Sequence, residues 1–259
     1  MNQTRGLACL SAALLAMASN AEARPLASIK ERGSIMLCAN PNALPFAAKS
    51  GPKSGIQIEL GRALAEELGV GLEIGWVIFP FHVARVDCDI VLDSIVDKEV
   101  QDDRHVRLSR PYQEGGVVLA FRREVEPVAT YKALPPTLRI GAIVGSLARL
   151  ELGHNGTGTI PFTFEDEMLE SLGNGEIDVA AASPASVGYY NFTHQAAPVK
   201  VSAGFQSVAE LNWTVAVGMR KADDALVDSI NKALDKLIAD GTVHRIYAAY
   251  GIEQRTPAH

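Results

Sequence analysis

The chain has 259 residues and carries 24 basic and 30 acidic side chains, which gives a formal net charge of -6 at pH 7. With 47% hydrophobic and 21% charged residues, it has the composition of a globular protein that could form one large domain or two small ones. Because the chain is acidic overall and has no Lys and Arg cluster interleaved with aromatic residues, we exclude nucleic acid as a partner.

The first 23 residues have the features of an export signal. Arg5 makes the start positive, an apolar run extends from Leu7 to Ala18, and the segment 21–23 suits a signal peptidase. The run is shorter than the roughly 20 apolar residues that a spanning helix needs, and no later segment does better. The sequence therefore predicts cleavage after Ala23 and a periplasmic protein with no membrane insertion.

Three cysteines are present, and Cys9 belongs to the predicted signal. In an exported protein the other two, Cys38 and Cys88, either form a disulfide or remain as two buried thiols. If their strands pair in parallel, Cys38 lies late in one strand and Cys88 early in the other, which could separate their Cα atoms by more than the roughly 7 Å that a bridge allows. The sequence leaves both alternatives open.

Strands and helices alternate through the first half of the chain. The run SIMLCA (34–39) predicts a strand, and IQIELGRALAEELG (56–69) predicts a helix, since its apolar residues are four apart and Gly69 can cap it. Further strands are predicted at GLEIGWVIF (71–79), CDIVLDSI (88–95) and GVVLAFRRE (116–124). Fully apolar strands such as these suit a parallel sheet covered on both faces.

The same alternation begins again after a turn-rich connector. LRIGAIVGSLARLEL (138–152) predicts a strand, a glycine turn and a helix, and FEDEMLESLGNGEIDVAAAS (164–183) predicts a helix followed by a buried strand. A further strand, LNWTVAVGMR (211–220), precedes an amphipathic helix at 223–241 and a short helix at 242–251. The chain thus contains two similar α/β halves and a terminal helix.

The order of these segments resembles the bacterial extracellular solute-binding proteins of family 3, the soluble receptors of polar amino-acid ABC transporters. The segments that carry the similarity are GIQIELGRALAEELGV, CDIVLDSI, LSRPY, IGAIVGS, LGNGEIDVAAASPASVGYY and the last forty residues, from VAVGMR to YAAYG. The resemblance implies a type II periplasmic binding protein, with two α/β lobes that are joined by two hinge strands and close on a ligand in the cleft. Lobe I would comprise residues 24–122 and 219–259, and lobe II residues 123–218. The resemblance also implies a small-molecule ligand and an ABC permease as partners, and no cofactor.

The candidate ligand-binding residues follow the predicted strands, because open α/β sheets bind ligands beyond the carboxyl ends of their strands. The loop CANPNALPF (38–46) leaves the first strand, so Phe46 is expected to line the cleft, with burial between strand and helix as the alternative. Asn42 is expected either at the ligand or only in the turn. Trp76 ends the second strand and is expected in the core or the cleft wall.

Two further groups of candidates follow from the same rule. Asp93, Ser94 and Ile95 end the third strand, where the family presents backbone and hydroxyl groups to a ligand carboxylate. Gly145 and Ser146 begin a helix of lobe II, whose free N–H groups favour an anion. Ser146 could equally be a helix cap, and the two roles are compatible.

Two anchors that amino-acid receptors of this family use are missing. The arginine that binds the ligand carboxylate falls on Asp102, and Arg104 is either its shifted substitute or a solvated side chain. The aspartate that pairs with the ligand ammonium falls on Ala182 or Ser183, so no carboxylate is expected there. Because a zwitterion in a closed cleft needs both charges paired, we predict weak binding of standard amino acids and a less zwitterionic, polar or anionic ligand.

A second resemblance points to a protein-interaction role. The stretch from Cys38 to Phe46, with Cys88 in CDIV, is similar to binding-protein-like accessory proteins of periplasmic PQQ-dependent (quinoprotein) methanol and alcohol dehydrogenases. The Trp-Gly-Pro element expected in lobe II is replaced by Ala182-Ser183-Pro184. A quinoprotein dehydrogenase is therefore the alternative partner.

The same fold also hosts a dehydratase, which makes an enzyme the minor alternative. Nothing pairs Asp93 or Asp97 with a base at recognisable spacing. The histidines His82, His105, His154 and His194 lack metal-ligand spacing, and no nucleotide-binding or Gly-x-Ser-x-Gly motif is present. We therefore predict a binding protein that is not an enzyme and holds no metal.

Overall fold

Two large sheets and a two-stranded ribbon organise the part of the chain that the computed structural model describes, residues 25–78, 83–96 and 106–257. The strands are β1 (Ser34–Ala39), β2 (Asn42–Ala43), β3 (Ala47–Ala48), β4 (Gly71–Trp76), β5 (Ile90–Ile95), β6 (Val106–Leu108), β7 (Gln113–Gly116), β8 (Val118–Phe121), β9 (Ile140–Ile143), β10 (Ile160–Phe162), β11 (Val179–Ala182), β12 (Lys200–Ser202) and β13 (Asn212–Arg220). The helices are α1 (Leu26–Arg32), α2 (Ile56–Glu67), α3 (Val83–Val86), α4 (Leu147–His154), α5 (Glu165–Gly173), α6 (Pro184–Thr193), α7 (Asp224–Ala239) and α8 (Thr242–Ala248).

Lobe I is built on the sheet β4-β1-β5-β13-β6, with β7 also paired to β13. β1 runs parallel to β4 and β5, whereas β13 returns antiparallel to β5. Its core combines the buried faces of β1, α2 and α7, since the apolar residues spaced along both helices point to the sheet. As predicted, the terminal helices α7 and α8 pack on the N-terminal part of the chain, against α2.

Lobe II is built on the sheet β10-β9-β11-β8-β12. β9 lies between β10 and β11 and is parallel to both, and β8 is antiparallel to β11 and β12. Helices α5 and α6 pack on each other, and α4 packs on β9. The predicted class, two α/β lobes joined by two hinge strands, is confirmed.

Both crossings between the lobes come earlier in the chain than the expected boundaries at residues 122 and 219. β8 already belongs to the sheet of lobe II, so the first crossing lies at Val117. β13 pairs with β7 from Asn212 onward, so the return to lobe I begins there. The two crossings touch, because Val117 N donates to Leu211 O at 2.9 Å. A Cβ at Gly116 would lie 2.7 Å from that same oxygen, so only glycine fits at this crossing.

Cys38 and Cys88 form a disulfide with their Cα atoms 5.5 Å apart. The sequence suggested that the Cα atoms of Cys38 and Cys88 could lie too far apart for a bridge, on the assumption that Cys88 is the first residue of its strand. Instead β5 begins at Ile90, and Cys88 lies in the irregular segment before it. A Cβ at Gly75, on the neighbouring strand β4, would lie 2.8 Å from Cys88 Sγ, so glycine leaves room for the bridge.

A second contact between the lobes lies beside the hinge, where α6 of lobe II meets the C-terminal segment of lobe I. The rings of Tyr189 and Tyr250 have centroids 5.9 Å apart. A Cβ at Gly251 would lie 2.3 Å from Phe192 Cβ, which shows how closely the helix approaches. Lys53 Nζ lies 4.4 Å from the centroid of the Tyr250 ring and adds a cation–π contact.

None of the helices in the described ranges combines the length and apolar character needed to cross a bilayer. Within the same ranges, no three His, Cys, Asp or Glu side chains gather into a group that could hold a metal ion. The predicted export signal, residues 1–23, lies outside the described residues.

Candidate functional site

A cavity of about 370 Å³ lies between the lobes, next to the hinge strands. Lobe I contributes Asn42, Leu44 and Phe46, and the hinge contributes Gly116, Val117 and Trp213. The wall from lobe II includes Ser146, Phe164, Glu165, Asp166 and Ser183. A broader depression of about 470 Å³ lies at the amino ends of β1 and β4, but only lobe I forms its walls. The cavity between the lobes is therefore the candidate binding site.

The loop after β1 delivers Phe46 to this cavity. Phe46 is half-buried, and its backbone is fixed by the start of α2, where Ile56 N donates to Pro45 O and Gln57 N donates to Phe46 O, both at 2.8 Å. A Cβ at Gly55 would lie 2.4 Å from Phe46 O, so glycine permits this close approach. Free N–H groups at a helix start are thus used to hold the aromatic residue in place.

Asn42 lies in the cavity wall and also in a tight turn. Its backbone N–H donates to Asn40 Oδ1 at 2.9 Å, and it pairs with Ala48 in the two-stranded ribbon of β2 and β3. The side chain that sets the turn is therefore that of Asn40, which leaves the exposed side chain of Asn42 at the cavity.

Ser146 lines the cavity and also caps α4, so it has both of the roles expected from the sequence. Its Oγ accepts a hydrogen bond from Arg149 N at 3.2 Å. Gly145, in contrast, lies outside the cavity wall. It has a φ of 74° and forms the turn between β9 and α4, a backbone conformation that favours glycine.

Ser183 lines the cavity together with a carboxylate that the sequence did not reveal. Ser183 N donates to Glu165 Oε1 at 2.8 Å, and Ser183 Oγ donates to Glu165 Oε2 at 2.7 Å. Ser183 Oγ also accepts from Ser186 N at 3.1 Å and so caps α6. The expectation that no carboxylate lies near Ser183 was wrong, because Glu165 reaches it from the start of α5.

Glu165 was missed because strand β10 is short and was not predicted. A strand at Ile160–Phe162 places the start of α5 at the carboxyl edge of the sheet, beside the end of β11. With β10 recognised, the residues that follow it could have been named by the rule that placed Phe46.

Asp93 faces the interior of lobe I and not the cavity. Its carboxylate accepts hydrogen bonds from Gln57 Nε2 at 2.8 Å and from Tyr112 Oη at 2.7 Å, and its own N–H donates to Tyr112 Oη at 2.8 Å. Burial raises the pKa of Asp93, although the hydrogen bonds from Tyr112 and Gln57 lower it. The residue therefore joins β5 to α2 and to the segment before β7.

The remaining candidates lie outside the cavity wall or outside the described residues. Ser94 Oγ donates to Val91 O at 3.1 Å, and Ile95 is 52% exposed at the end of β5. Trp76 packs against the core of lobe I. Arg104 lies outside the described residues, as do Asp97 and Asp102.

The fold and the position of the cavity agree with a known family. The family model of the bacterial extracellular solute-binding proteins, family 3, matches residues 35–253. The chain belongs to this family. The predicted resemblance is thereby confirmed.

Curated relatives of this family 3 protein are distant. It is 25% identical over 248 residues to a probable histidine-binding protein of Neisseria gonorrhoeae, and the match covers 90% of this chain and 81% of that protein. It is 24% identical over 237 residues to the membrane-bound lytic murein transglycosylase F of Desulfosudis oleivorans, and the match covers 86% of this chain. The chain spans about half the length of that transglycosylase, 49%.

Among solved structures, the family 3 protein is similar to an ancestral cationic amino-acid solute-binding protein. The TM-score is 0.73 at 21% identity, and the match covers 87% of this chain and 99% of the other. A crystal structure of the same ancestral amino acid-binding protein, a precursor of cyclohexadienyl dehydratase, matches with a TM-score of 0.70 at 21% identity and the same coverage. At this identity the similarity shows the fold alone.

Proposed function

We propose that this protein is a periplasmic solute-binding protein that captures a small polar solute by hinge closure and delivers it to an ABC permease. The observation that carries the proposal is the cavity between the lobes, whose walls come from lobe I, from lobe II and from the hinge. Proteins of this family bind small molecules and work with ABC permeases. The predicted export signal supports a periplasmic location.

Because the cavity wall has residues from both lobes, a bound solute would favour closure of the lobes around it. A solute in the cavity contacts Phe46 on one lobe and Ser146 or Ser183 on the other, so it binds more tightly when the lobes approach. A ligand shifts such an equilibrium only by the difference between its affinities for the two states. Contacts with both lobes supply that difference, and the hinge strands absorb the change.

The positions and hydrogen-bond partners of Asp93 and Glu165 favour a binding role over catalysis. Asp93, the candidate general acid, is hydrogen-bonded inside lobe I and lies outside the cavity wall. Among the described residues, the Glu165 carboxylate is held by the N–H and the hydroxyl of Ser183, and no proton-donating acid is paired with it at the cavity wall. A dehydratase would need an acid and a base that reach the same solute.

Standard amino acids remain poor candidates as ligands. The cavity wall formed by the described residues includes no Lys or Arg that could fork onto a carboxylate. The anionic ligand expected from the sequence depended partly on Arg104, and the described wall instead presents Glu165 and Asp166. We therefore expect a polar solute without an amino-acid zwitterion.

Isothermal titration calorimetry of the mature protein against standard amino acids, organic acids and amines tests this function. We expect micromolar or tighter binding of at least one small solute and weak or absent binding of amino acids. Submicromolar binding of an ordinary amino acid would refute the predicted preference. Absence of any small ligand, combined with specific retention of a quinoprotein dehydrogenase, would replace solute capture by the accessory role.

A further inference from the structure

We propose that the cleft selects a cationic solute that bears an alkylated ammonium group, held among aromatic rings and balanced by Glu165. This inference rests on the proposed function, because it names the chemical class that the cavity would take. It departs from the polar or anionic ligand expected from the sequence.

Three aromatic side chains from three parts of the chain meet at the cavity. Phe46 comes from lobe I, Trp213 from the hinge strand β13 and Phe164 from the start of α5 in lobe II. All three are only partly buried, and Phe164 is 40% exposed. Trp213 also packs against the cores of both lobes, whereas Phe46 and Phe164 keep part of their surface free at the cavity, and aromatic surface left there indicates a binding site.

The same wall is negative. Glu165 and Asp166 are its charged members, and the wall formed by the described residues has no basic side chain. Among the described residues, the partners of the Glu165 carboxylate are the N–H and the hydroxyl of Ser183, which are neutral. Within the described residues its negative charge is thus oriented but not balanced by a cation, and an anionic solute would meet two carboxylates.

Rings and carboxylates together favour an alkylated ammonium. The face of an aromatic ring attracts a cation within about 6 Å of its centroid, and Trp is the strongest partner. An ammonium that carries methyl groups is less strongly hydrated than a bare one, so it loses less on entering a cavity lined by Phe46, Phe164 and Trp213. The carboxylate of Glu165 then pairs with the charge that water no longer screens.

The binding residues are held in place by the backbone around them. A Cβ at Gly115 would lie 2.5 Å from Trp213 Nε1, so glycine lets the indole lie across β7. The start of α2 fixes Phe46, and Ser183 orients Glu165. When a binding site is rigid before binding, ordering its side chains on binding costs less free energy.

Calorimetry with choline as the probe tests the inference. The comparison ligands are 3,3-dimethylbutan-1-ol, which has the same shape without the charge, and succinate, which is an anion of similar size. We expect choline to bind at least about tenfold more tightly than the neutral alcohol, since cation–π contacts and a carboxylate act only on the charge. Succinate is expected not to bind.

Two substitutions locate the binding. Glu165→Gln should weaken choline about tenfold or more, and Phe46→Leu, which keeps an apolar side chain, should weaken it about fivefold. Glu167→Gln is the matched control, because Glu167 is exposed on the same helix and outside the cavity wall. Circular dichroism checks folding, and Phe46→Leu decides the outcome if the cap of α6 fails in Glu165→Gln.

The outcomes separate this inference from the proposed function. Binding of a neutral or anionic solute that Phe46→Leu weakens and Glu165→Gln leaves unchanged would overturn the cationic preference and leave solute capture intact. Binding of choline that neither substitution affects would overturn the assignment of the binding site. A complete absence of small-molecule binding would overturn both proposals.

Discussion

At the scale of single residues, Asp178 shows how a buried charge is held in lobe II. Arg139 donates to both of its carboxylate oxygens at 2.9 Å, and Arg122 Nη2 lies 3.0 Å from Asp178 Oδ1. The hydrogen bonds from Arg139 lower the pKa of Asp178 to about 2, against the opposing effect of burial. The ionised carboxylate therefore stabilises the folded state.

The pH dependence of this contribution has a definite sign. Because the folded-state pKa lies below the unfolded value of 3.8, stability from Asp178 is present above pH 4 and is lost as the pH falls toward 2. We predict that Asp178→Asn lowers the free energy of unfolding at pH 7 by about 2 kcal/mol. Near pH 2 the difference between variant and wild type should shrink.

Urea denaturation at pH 7 and near pH 2 measures both values. Asp166→Asn serves as the control, since Asp166 is exposed and makes no such contact with Arg139. A difference between Asp178→Asn and wild type that is equally large at both pH values would contradict the assigned role of the carboxylate.

At the scale of elements, the bridge between Cys38 and Cys88 joins β1 to the segment before β5. The two cysteines are 50 residues apart, and the closed loop includes α2 and β4. We predict that Cys88→Ser, or reduction, lowers the free energy of unfolding by about 4 kcal/mol, because the unfolded chain loses the constraint of the closed loop.

Denaturant unfolding of the oxidised and reduced protein gives this difference. Mass spectrometry of the oxidised protein should show a mass two hydrogens below that of the dithiol. Rapid alkylation of both cysteines in the native oxidised protein would contradict the bridge.

Elements with strong periodicity could be predicted from the sequence, and short ones could not. The buried faces of α2 and α7 follow apolar spacings that repeat over several turns, so a single misplaced residue does not hide them. β10 has only three residues and one of them is a proline, so its pattern carries little information. The disulfide depended on where β5 begins, a boundary that local pattern does not set.

The cavity was predictable where backbone rules apply and unpredictable where side chains meet from distant segments. Phe46 and Ser146 follow from the carboxyl ends of β1 and β9. Trp213 and Glu165 did not, because the first lies on a hinge strand and the second reaches Ser183 across 18 positions of sequence. Asp93 lies in β5, but its backbone has a φ of 54° and its carboxylate accepts a hydrogen bond from Tyr112 inside lobe I.

At the scale of the whole molecule, two kinds of contact join the lobes. The hinge strands meet at Val117 and Leu211, and α6 packs beside Tyr250 and Gly251. The cavity of about 370 Å³, with walls from both lobes, lies next to the hinge strands. Under the proposed function, capture of a solute requires that the lobes approach each other around the hinge while the sheets remain intact.

Small-angle X-ray scattering of the mature protein, with and without a saturating amount of the tightest-binding solute, tests this central claim most directly. We predict that the radius of gyration falls on binding and that Phe46→Leu needs more solute to produce the same change. An unchanged radius of gyration at a concentration where calorimetry shows full occupancy would contradict capture by hinge closure.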